Sequence, residues 1–263
     1  MIVNIIGLPR TGTTYLFRTI FRGVHKIDLY EDIRKSFEME HWNEVWIPST
    51  EDRHSEKLRN RIKGDIGILS KRSVEAVKTH YEHLTNMKVN FPDLFQRLNS
   101  IESYNVWIYR SDILETALSS FIFTTGIKDH IYNKDGDKNP DFKKVVVDKN
   151  VFLKKINGII SANNQLFENP LKIAVDEVLN YESIPDQMSE LWHTLKLSNL
   201  PKFKFNMPKE GDPDLSRPTS YNVYEKAEII ENYNELKELT SELSADLDFI
   251  TVKNGMIYPK NLG

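Results

Sequence analysis

A turn near the start of the chain combines a cation with hydroxyl groups at the spacing of a phosphate-binding loop. In the stretch NIIGLPRTGTTYLF (residues 4–17), Gly7 and Gly12 bracket a turn that contains Arg10. Backbone N–H groups of such a turn, together with the positive end of the following helix, form a ready anion pocket. An ATP-binding loop of the common type has Lys directly after the second Gly. Thr13 stands there instead and Arg10 is the only cation of the loop, so the sequence predicts an anion site without that lysine.

A second group of polar side chains follows the apolar run Tyr104–Tyr109 (YNVWIY), which is typical of a short strand. Arg110 comes directly after this run, and Ser119 lies roughly two turns into the next predicted helix. In open α/β sheets, ligands bind beyond the carboxyl ends of the strands. A guanidinium with a hydroxyl suits a second phosphate, held apart from the first, and Ser120 is an alternative partner for Arg110.

A third group follows the strand predicted over Ser73–Lys78 (SVEAVK). Lys78 and His80 are two residues apart at its end, so both side chains could enter the same crevice. A histidine can take a proton from a hydroxyl near neutral pH, because its reference pKa is about 6.5. A lysine beside it could neutralise charge that develops on a leaving group.

These residues require an α/β framework, and the chain is long enough for one. It has 263 residues, 40% of them apolar and 28% charged, which is ordinary for a globular protein with a core. The net charge of −3 does not favour nucleic acid or an anionic membrane. The absence of Cys excludes disulfides and thiolate metal sites. We find no signal peptide and no apolar run near 18 residues, so we expect a cytoplasmic protein without a membrane span.

Strands and helices alternate in the predicted order. Further strands are predicted over Ile2–Ile6 and Leu171–Val175. The predicted helices are Thr13–Arg22, Glu51–Lys63, Asp112–Thr124, Val151–Phe167, Ser183–Leu195 and Tyr221–Ser244. We therefore expect a single α/β domain over residues 1–263, with a mostly parallel central sheet flanked by helices and a phosphate-binding loop after the first strand. Its motifs lie within residues 2–197, and residues 198–263 form a helical, loop-rich C-terminal part.

Together the motifs resemble the sulfotransferases that use 3′-phosphoadenosine 5′-phosphosulfate (PAPS). GLPRTGTTYL is similar to the 5′-phosphosulfate loop of that family, and YRSDILETALSS is similar to its 3′-phosphate motif. VKTHYEHL resembles the Lys-Thr-His segment that carries the catalytic histidine. A fainter similarity is KIAVDEVLNYESIPDQMSELWHTLKL (residues 172–197), which resembles a later strand, acidic turn and helix. The motifs occur in the order of the family over roughly residues 2–197.

The resemblance implies in-line transfer of a sulfuryl group from PAPS to a hydroxyl or amine of an unidentified acceptor, without a metal. It implies that the loop holds the 5′-phosphosulfate and that Arg110 and Ser119 hold the 3′-phosphate. The loop residues concerned are Pro9, Arg10, Thr11, Gly12, Thr13, Thr14 and Tyr15, the last beside the adenine. His80 would deprotonate the acceptor and Lys78 would stabilise the transition state.

Two assignments have alternatives, namely the catalytic base and the basic residues that contact the nucleotide from the C-terminal part. Other branches of the family use a glutamate soon after the first helix, so Glu31 is a second candidate for the base. The basic C-terminal segment of the soluble members is not found here, and Arg217 or Lys202 could replace it.

Two other functions are compatible with a phosphate loop. A small-molecule or nucleoside kinase would need a lysine at the β and γ phosphates and a hydroxyl on magnesium. Thr13 at the lysine position argues against that function. A non-catalytic nucleotide-binding module would bind without turnover, and the pair Lys78 and His80 weakly disfavours it.

Overall fold

A computed structural model of the chain describes residues 2–13, 16, 26–28, 60, 63, 76–125, 142–183 and 226–260. Five strands form one sheet: β1 (Ile2–Gly7), β2 (Lys26–Asp28), β3 (Ala76–His80), β4 (Ser103–Tyr109) and β5 (Glu177–Asn180). All of their pairings are parallel, in the order β2-β3-β1-β4-β5. The predicted α/β class with a parallel central sheet is therefore confirmed.

The central strand β1 aligns the ends of its two neighbours. Gly7 pairs with His80 of β3 and with Ile108 of β4. At the far side, Tyr109 of β4 pairs with Asn180, the last residue of β5. Because the strands are parallel, the segments that leave their carboxyl ends meet at one edge of the sheet.

Local signals explain the helix boundaries. The helices are α1 (Tyr81–Asn90), α2 (Pro92–Asn99), α3 (Ile113–Thr124), α4 (Lys149–Glu168), α5 (Lys226–Ile229) and α6 (Tyr233–Ser241). Asp112 caps α3 by accepting a hydrogen bond from Glu115 N–H at 2.8 Å, and Asp148 caps α4 in the same way through Val151 N–H at 2.9 Å. Asn169 ends α4 in the left-handed conformation.

The buried apolar side chains form two clusters. One lies between the sheet and α1, α2 and the end of α4, and includes Ile6, Val77 and Trp107. The other joins α3, α4 and α6 to a small C-terminal sheet. Phe167 packs against both clusters and so connects them.

The C-terminal sheet is antiparallel and consists of β6 (Ser244–Asp246), β7 (Ile250–Lys253) and β8 (Met256–Pro259). Asn254 and Gly255 join β7 to β8 with φ of 52° and 73°, the positive values of a two-residue hairpin turn. The sheet also binds the backbone after β4. Ile257 N–H donates to Ser111 O at 2.9 Å and Ile113 N–H donates to Gly255 O at 3.1 Å.

The prediction of a fourth strand over Leu171–Val175 was wrong. That segment is irregular, and β5 begins at Glu177, two residues after Val175. The side chain of Asn169 binds both the N–H and the carbonyl of Ile173 and so replaces a strand partner. Leu171 and Ile173 are buried in the first cluster. Core packing, not strand pairing, accounts for these apolar residues.

Within the predicted helix Tyr221–Ser244, the described residues from 226 onward form two helices, α5 and α6, and Ser244 begins β6. The break follows Ile229, where Ile229 O accepts a hydrogen bond from Val145 N–H and Glu231 N–H donates to Val145 O. These bonds to a distant segment interrupt the helical ladder. The strand predicted over Ser73–Lys78 also differs, because β3 extends through His80.

Several predicted helices lie largely outside the described residues. Within Thr13–Arg22, Thr13 and Leu16 are helical, and within Glu51–Lys63, Asn60 and Lys63 are helical. Of Ser183–Leu195 only Ser183 is described, at the end of a 3₁₀ turn, Tyr181–Ser183. Among the described helices, none has the length and apolar character that a membrane span requires.

Candidate functional site at the carboxyl edge of the sheet

The loop after β1 is held in a strained conformation. Thr11 closes the turn by donating from its hydroxyl to Leu8 O at 2.7 Å. Arg10 has φ of 69°, in the left-handed region that costs an L-residue about 1–2 kcal/mol. Such strain clusters at ligand-binding and catalytic sites, where the surroundings enforce it.

Gly12 brings the loop against the end of β5. Its φ is 88°, and a Cβ added there would lie 2.1 Å from Cδ2 of Tyr181. Any larger residue would therefore clash with the ring. Arg110 stacks on the same ring, with its guanidinium carbon 4.8 Å from the ring centroid. Tyr181 thus connects the first loop to the segment after β4.

Two side-chain contacts join the predicted motifs. The guanidinium of Arg10 donates to Ser119 Oγ of α3, from Nε at 3.3 Å and from Nη2 at 3.1 Å. Thr13 Oγ1 lies 3.5 Å from Nε2 of His80. Arg10 of the first loop, Ser119 of the second motif and His80 of the third therefore belong to one site.

Three basic side chains gather at the end of β3. Lys78 is buried and shares a sheet face with His80, because they are two residues apart on the strand. His83, in the first turn of α1, stacks on His80 with ring centroids 5.0 Å apart. Burial lowers the pKa of His83 well below 6.5, and the charges of His80 and Lys78 act in the same direction. His83 is therefore neutral at physiological pH.

Arg110 lies between two carboxylates. Its Nε donates to Glu182 Oε1 at 3.0 Å, and its Nη2 lies 3.6 Å from Glu115 Oε2. The ammonium of Lys226, from α5, contacts the same Glu115 oxygen. Burial lowers the pKa of Lys226, whereas Glu115 acts in the opposite direction. This network of alternating charges links three parts of the chain at the edge of the sheet.

Ser111 completes the network. Its N–H donates to Glu182 Oε2 at 3.0 Å and its hydroxyl donates to the same oxygen at 2.9 Å. Asn180, at the end of β5, also contacts the Ser111 hydroxyl. The carboxylate of Glu182 therefore binds three donors of two consecutive residues.

The predicted pair of Arg110 and Ser119 is not in contact: Ser119 accepts from Arg10, and Arg110 is paired with carboxylates. Both remain at the same edge, and their shared binding of a phosphate stays a prediction. Other predicted residues lie outside the described part of the chain, or have side chains outside it, namely Thr14, Tyr15, Glu31, Lys202 and Arg217. The choice of His80 or Glu31 as base therefore stays open.

Sequence reasoning missed seven residues of this site, namely His83, Ser111, Glu115, Asn180, Tyr181, Glu182 and Lys226. One signal could have found two of them. With the strand placed at Glu177–Asn180 instead of Leu171–Val175, Tyr181 and Glu182 become the residues that follow a strand end. Lys226 carried no such signal, because it comes from a helix distant in sequence.

Comparison with models of known protein families found no match, and comparison with curated proteins found none either. Within the described residues, no group of three or more His, Asp or Glu side chains is arranged to hold a metal ion.

Proposed function

We propose that the protein is a PAPS-dependent sulfotransferase that transfers a sulfuryl group to a hydroxyl or amine acceptor. The main support is the contact of Arg10 with Ser119, with His80 beside Thr13 at the same sheet edge. A cation, two hydroxyls and a base are thereby gathered where parallel sheets bind ligands. The motif resemblance adds an independent reason for this choice.

In this proposal the loop binds the 5′-phosphosulfate of the donor. Arg10 supplies the positive charge, and its left-handed backbone turns the loop so that its amides can converge on an anion. Arg110 supplies the charge for the 3′-phosphate at the end of β4. The distance between the two motifs is fixed by the pairing of β1 with β4.

The transfer step needs a base and a countercharge. The acceptor oxygen forms a bond to sulfur as the bond between sulfur and the phosphate oxygen breaks. His80 Nε2 takes the proton of the acceptor, and Lys78 neutralises charge on the departing phosphate. His83, which is neutral and buried, stacks on His80 and restrains its ring.

Calorimetric titration with adenosine 3′,5′-bisphosphate, the product of the donor, tests this function. We expect binding without metal and a loss of affinity of about tenfold or more in Arg10→Ala, the size expected for a lost charge-assisted contact. Arg97→Ala on α2 is a matched control, because Arg97 is exposed. His80→Ala should keep the affinity but lose PAPS-dependent transfer.

ATP with magnesium is titrated in parallel. Magnesium-dependent ATP binding without bisphosphate binding would contradict the sulfotransferase proposal and favour the kinase. Bisphosphate binding by wild type, with no transfer to a broad panel of hydroxyl and amine acceptors, would favour a binding module.

A further inference from the structure

The carboxylate of Glu182 binds Arg110 in a way that leaves part of the guanidinium available. A guanidinium has five N–H donors. Glu182 takes the one on Nε, and Glu115 lies beside Nη2 at 3.6 Å. Within the described residues, no hydrogen bond of Arg110 uses Nη1. Nη1 therefore has hydrogen-bonding capacity left for an anion while Glu182 stays bound to Nε.

Glu182 is itself held by hydrogen bonds to Ser111, in the segment that follows β4. Its second oxygen accepts from the N–H and the hydroxyl of Ser111, at 3.0 and 2.9 Å. The backbone of Ser111 is in turn held by the C-terminal sheet, through its carbonyl and Ile257 N–H. Through Glu182, the guanidinium of Arg110 is therefore linked to the end of β5 in the parallel sheet and, by way of Ser111, to β8 in the C-terminal sheet.

We propose that Glu182 is a positioning residue, which holds the guanidinium of Arg110 in place for a phosphate at the carboxyl edge of the sheet. The proposal rests on the proposed function for the identity of that phosphate, the 3′-phosphate of an adenine nucleotide. A free arginine side chain samples many rotamers, and it loses that freedom when it binds a ligand. Fixing it before the ligand arrives removes part of that cost from binding.

The position of Arg110 can be measured without a nucleotide. In ¹⁵N spectra, the Nε–H signal of Arg110 is assigned by its loss in Arg110→Lys. We expect this proton to exchange slowly with water in wild type and at least about tenfold faster in Glu182→Gln, which weakens a charge-assisted hydrogen bond. Glu235→Gln is the matched control, because it breaks the half-exposed ion pair with Lys149. If the Nε proton of Arg110 exchanges with water at the same rate in Glu182→Gln as in wild type, the proposal is overturned.

The consequence for binding is measured with two nucleotides. Adenosine 3′,5′-bisphosphate carries the phosphate that Arg110 would bind, whereas adenosine 5′-monophosphate lacks it. We expect Glu182→Ala to weaken the bisphosphate by about tenfold or more and to leave the monophosphate unchanged. Equal weakening of both nucleotides would mean that Glu182 only supports the fold. Tighter bisphosphate binding would mean that Glu182 competes with the phosphate, and either result overturns the proposal.

The two measurements separate this inference from the proposed function. If wild type binds neither nucleotide while Glu182→Gln still releases Arg110, Glu182 positions Arg110 and the sulfotransferase proposal fails. Should Glu182→Ala fail to fold, Glu182→Gln keeps the size of the side chain and serves in both experiments.

Discussion

At the residue scale, His83 couples the stability of the fold to pH. Its ring is buried against His80, and its pKa in the folded chain lies well below the 6.5 of an unfolded chain, chiefly through burial. Below pH 6.5 the unfolded chain therefore binds a proton that the folded chain does not. The stabilisation from neutral His83 is complete above that pH and is lost progressively as pH falls toward the folded pKa.

We expect the free energy of unfolding in urea to fall between pH 7 and pH 5 by up to about 1.4 kcal/mol per pH unit from this residue. His83→Phe keeps a stacked ring but cannot bind a proton, so its pH slope should be smaller than that of wild type by this amount. An identical slope in the two proteins would show that His83 is not the source.

The residue scale also shows where sequence reasoning reaches its limit. The types and spacing of Arg10, Arg110 and His80 predicted polar groups at strand ends, and all three lie at the same edge. The same patterns did not predict which side chains Arg10, Arg110 and His80 contact. Arg110 is paired with Glu182, 72 residues away, because β4 and β5 end side by side.

At the element scale, two glycines show how local conformation decides the effect of one methyl group. Gly158 lies within α4, and a Cβ built there meets nothing within 4 Å. Gly255 is in the hairpin turn, where a Cβ would lie 2.8 Å from the Thr240 carbonyl oxygen and φ is +73°. The same substitution should therefore have opposite signs at the two sites.

We expect Gly158→Ala to raise the free energy of unfolding by about 0.5–1 kcal/mol, because alanine loses less backbone entropy in a helix. Gly255→Ala should lower it by more than about 1 kcal/mol, since the left-handed backbone and the clash both oppose it. Urea denaturation of the two variants beside wild type measures both changes. If the two substitutions changed the free energy of unfolding equally, the left-handed turn at Asn254 and Gly255 would be contradicted.

Helix boundaries were predicted best where a capping side chain marks them. Asp112 and Asp148 precede α3 and α4, and the predicted spans Asp112–Thr124 and Val151–Phe167 differ from the observed ones by at most two residues at either end. A cap is a local interaction, so the sequence contains all of it. The break after Ile229 depends on a distant backbone partner and was missed for that reason.

At the scale of the whole molecule, the C-terminal sheet is part of the core. Ile250, Val252 and Ile257 are buried in the same cluster as α3 and α4. The hydrogen bonds of this sheet to Ser111 and Ile113 also support the segment that carries Arg110. A substitution that destabilises the C-terminal sheet should therefore also disturb the geometry of the candidate site.

We expect Ile257→Ala to lower the free energy of unfolding by about 2–5 kcal/mol, the usual cost of truncating a fully buried isoleucine. Denaturation is followed by tryptophan fluorescence in a background in which Trp42, Trp46 and Trp192 are replaced by Phe, so that the signal comes from Trp107 in the other cluster. Tyr258→Ala is the matched control, since Tyr258 is half-exposed on the same strand. If the fluorescence of Trp107 kept its midpoint while the far-UV circular dichroism of the whole chain lost part of its amplitude at lower urea, the two clusters would unfold independently.

Local sequence patterns were enough to predict the α/β class, the positions of β1 and β4, and the starts of α3 and α4 to within two residues. These features depend on periodicity, turn residues and caps, which act over a few neighbouring positions. The strand order, the place of the C-terminal sheet, and the pairing of Arg10 with Ser119 and of Arg110 with Glu182 follow from the folded arrangement. The two pairs join residues 109 and 72 positions apart, which meet only once the strands are aligned, so no local pattern encodes them.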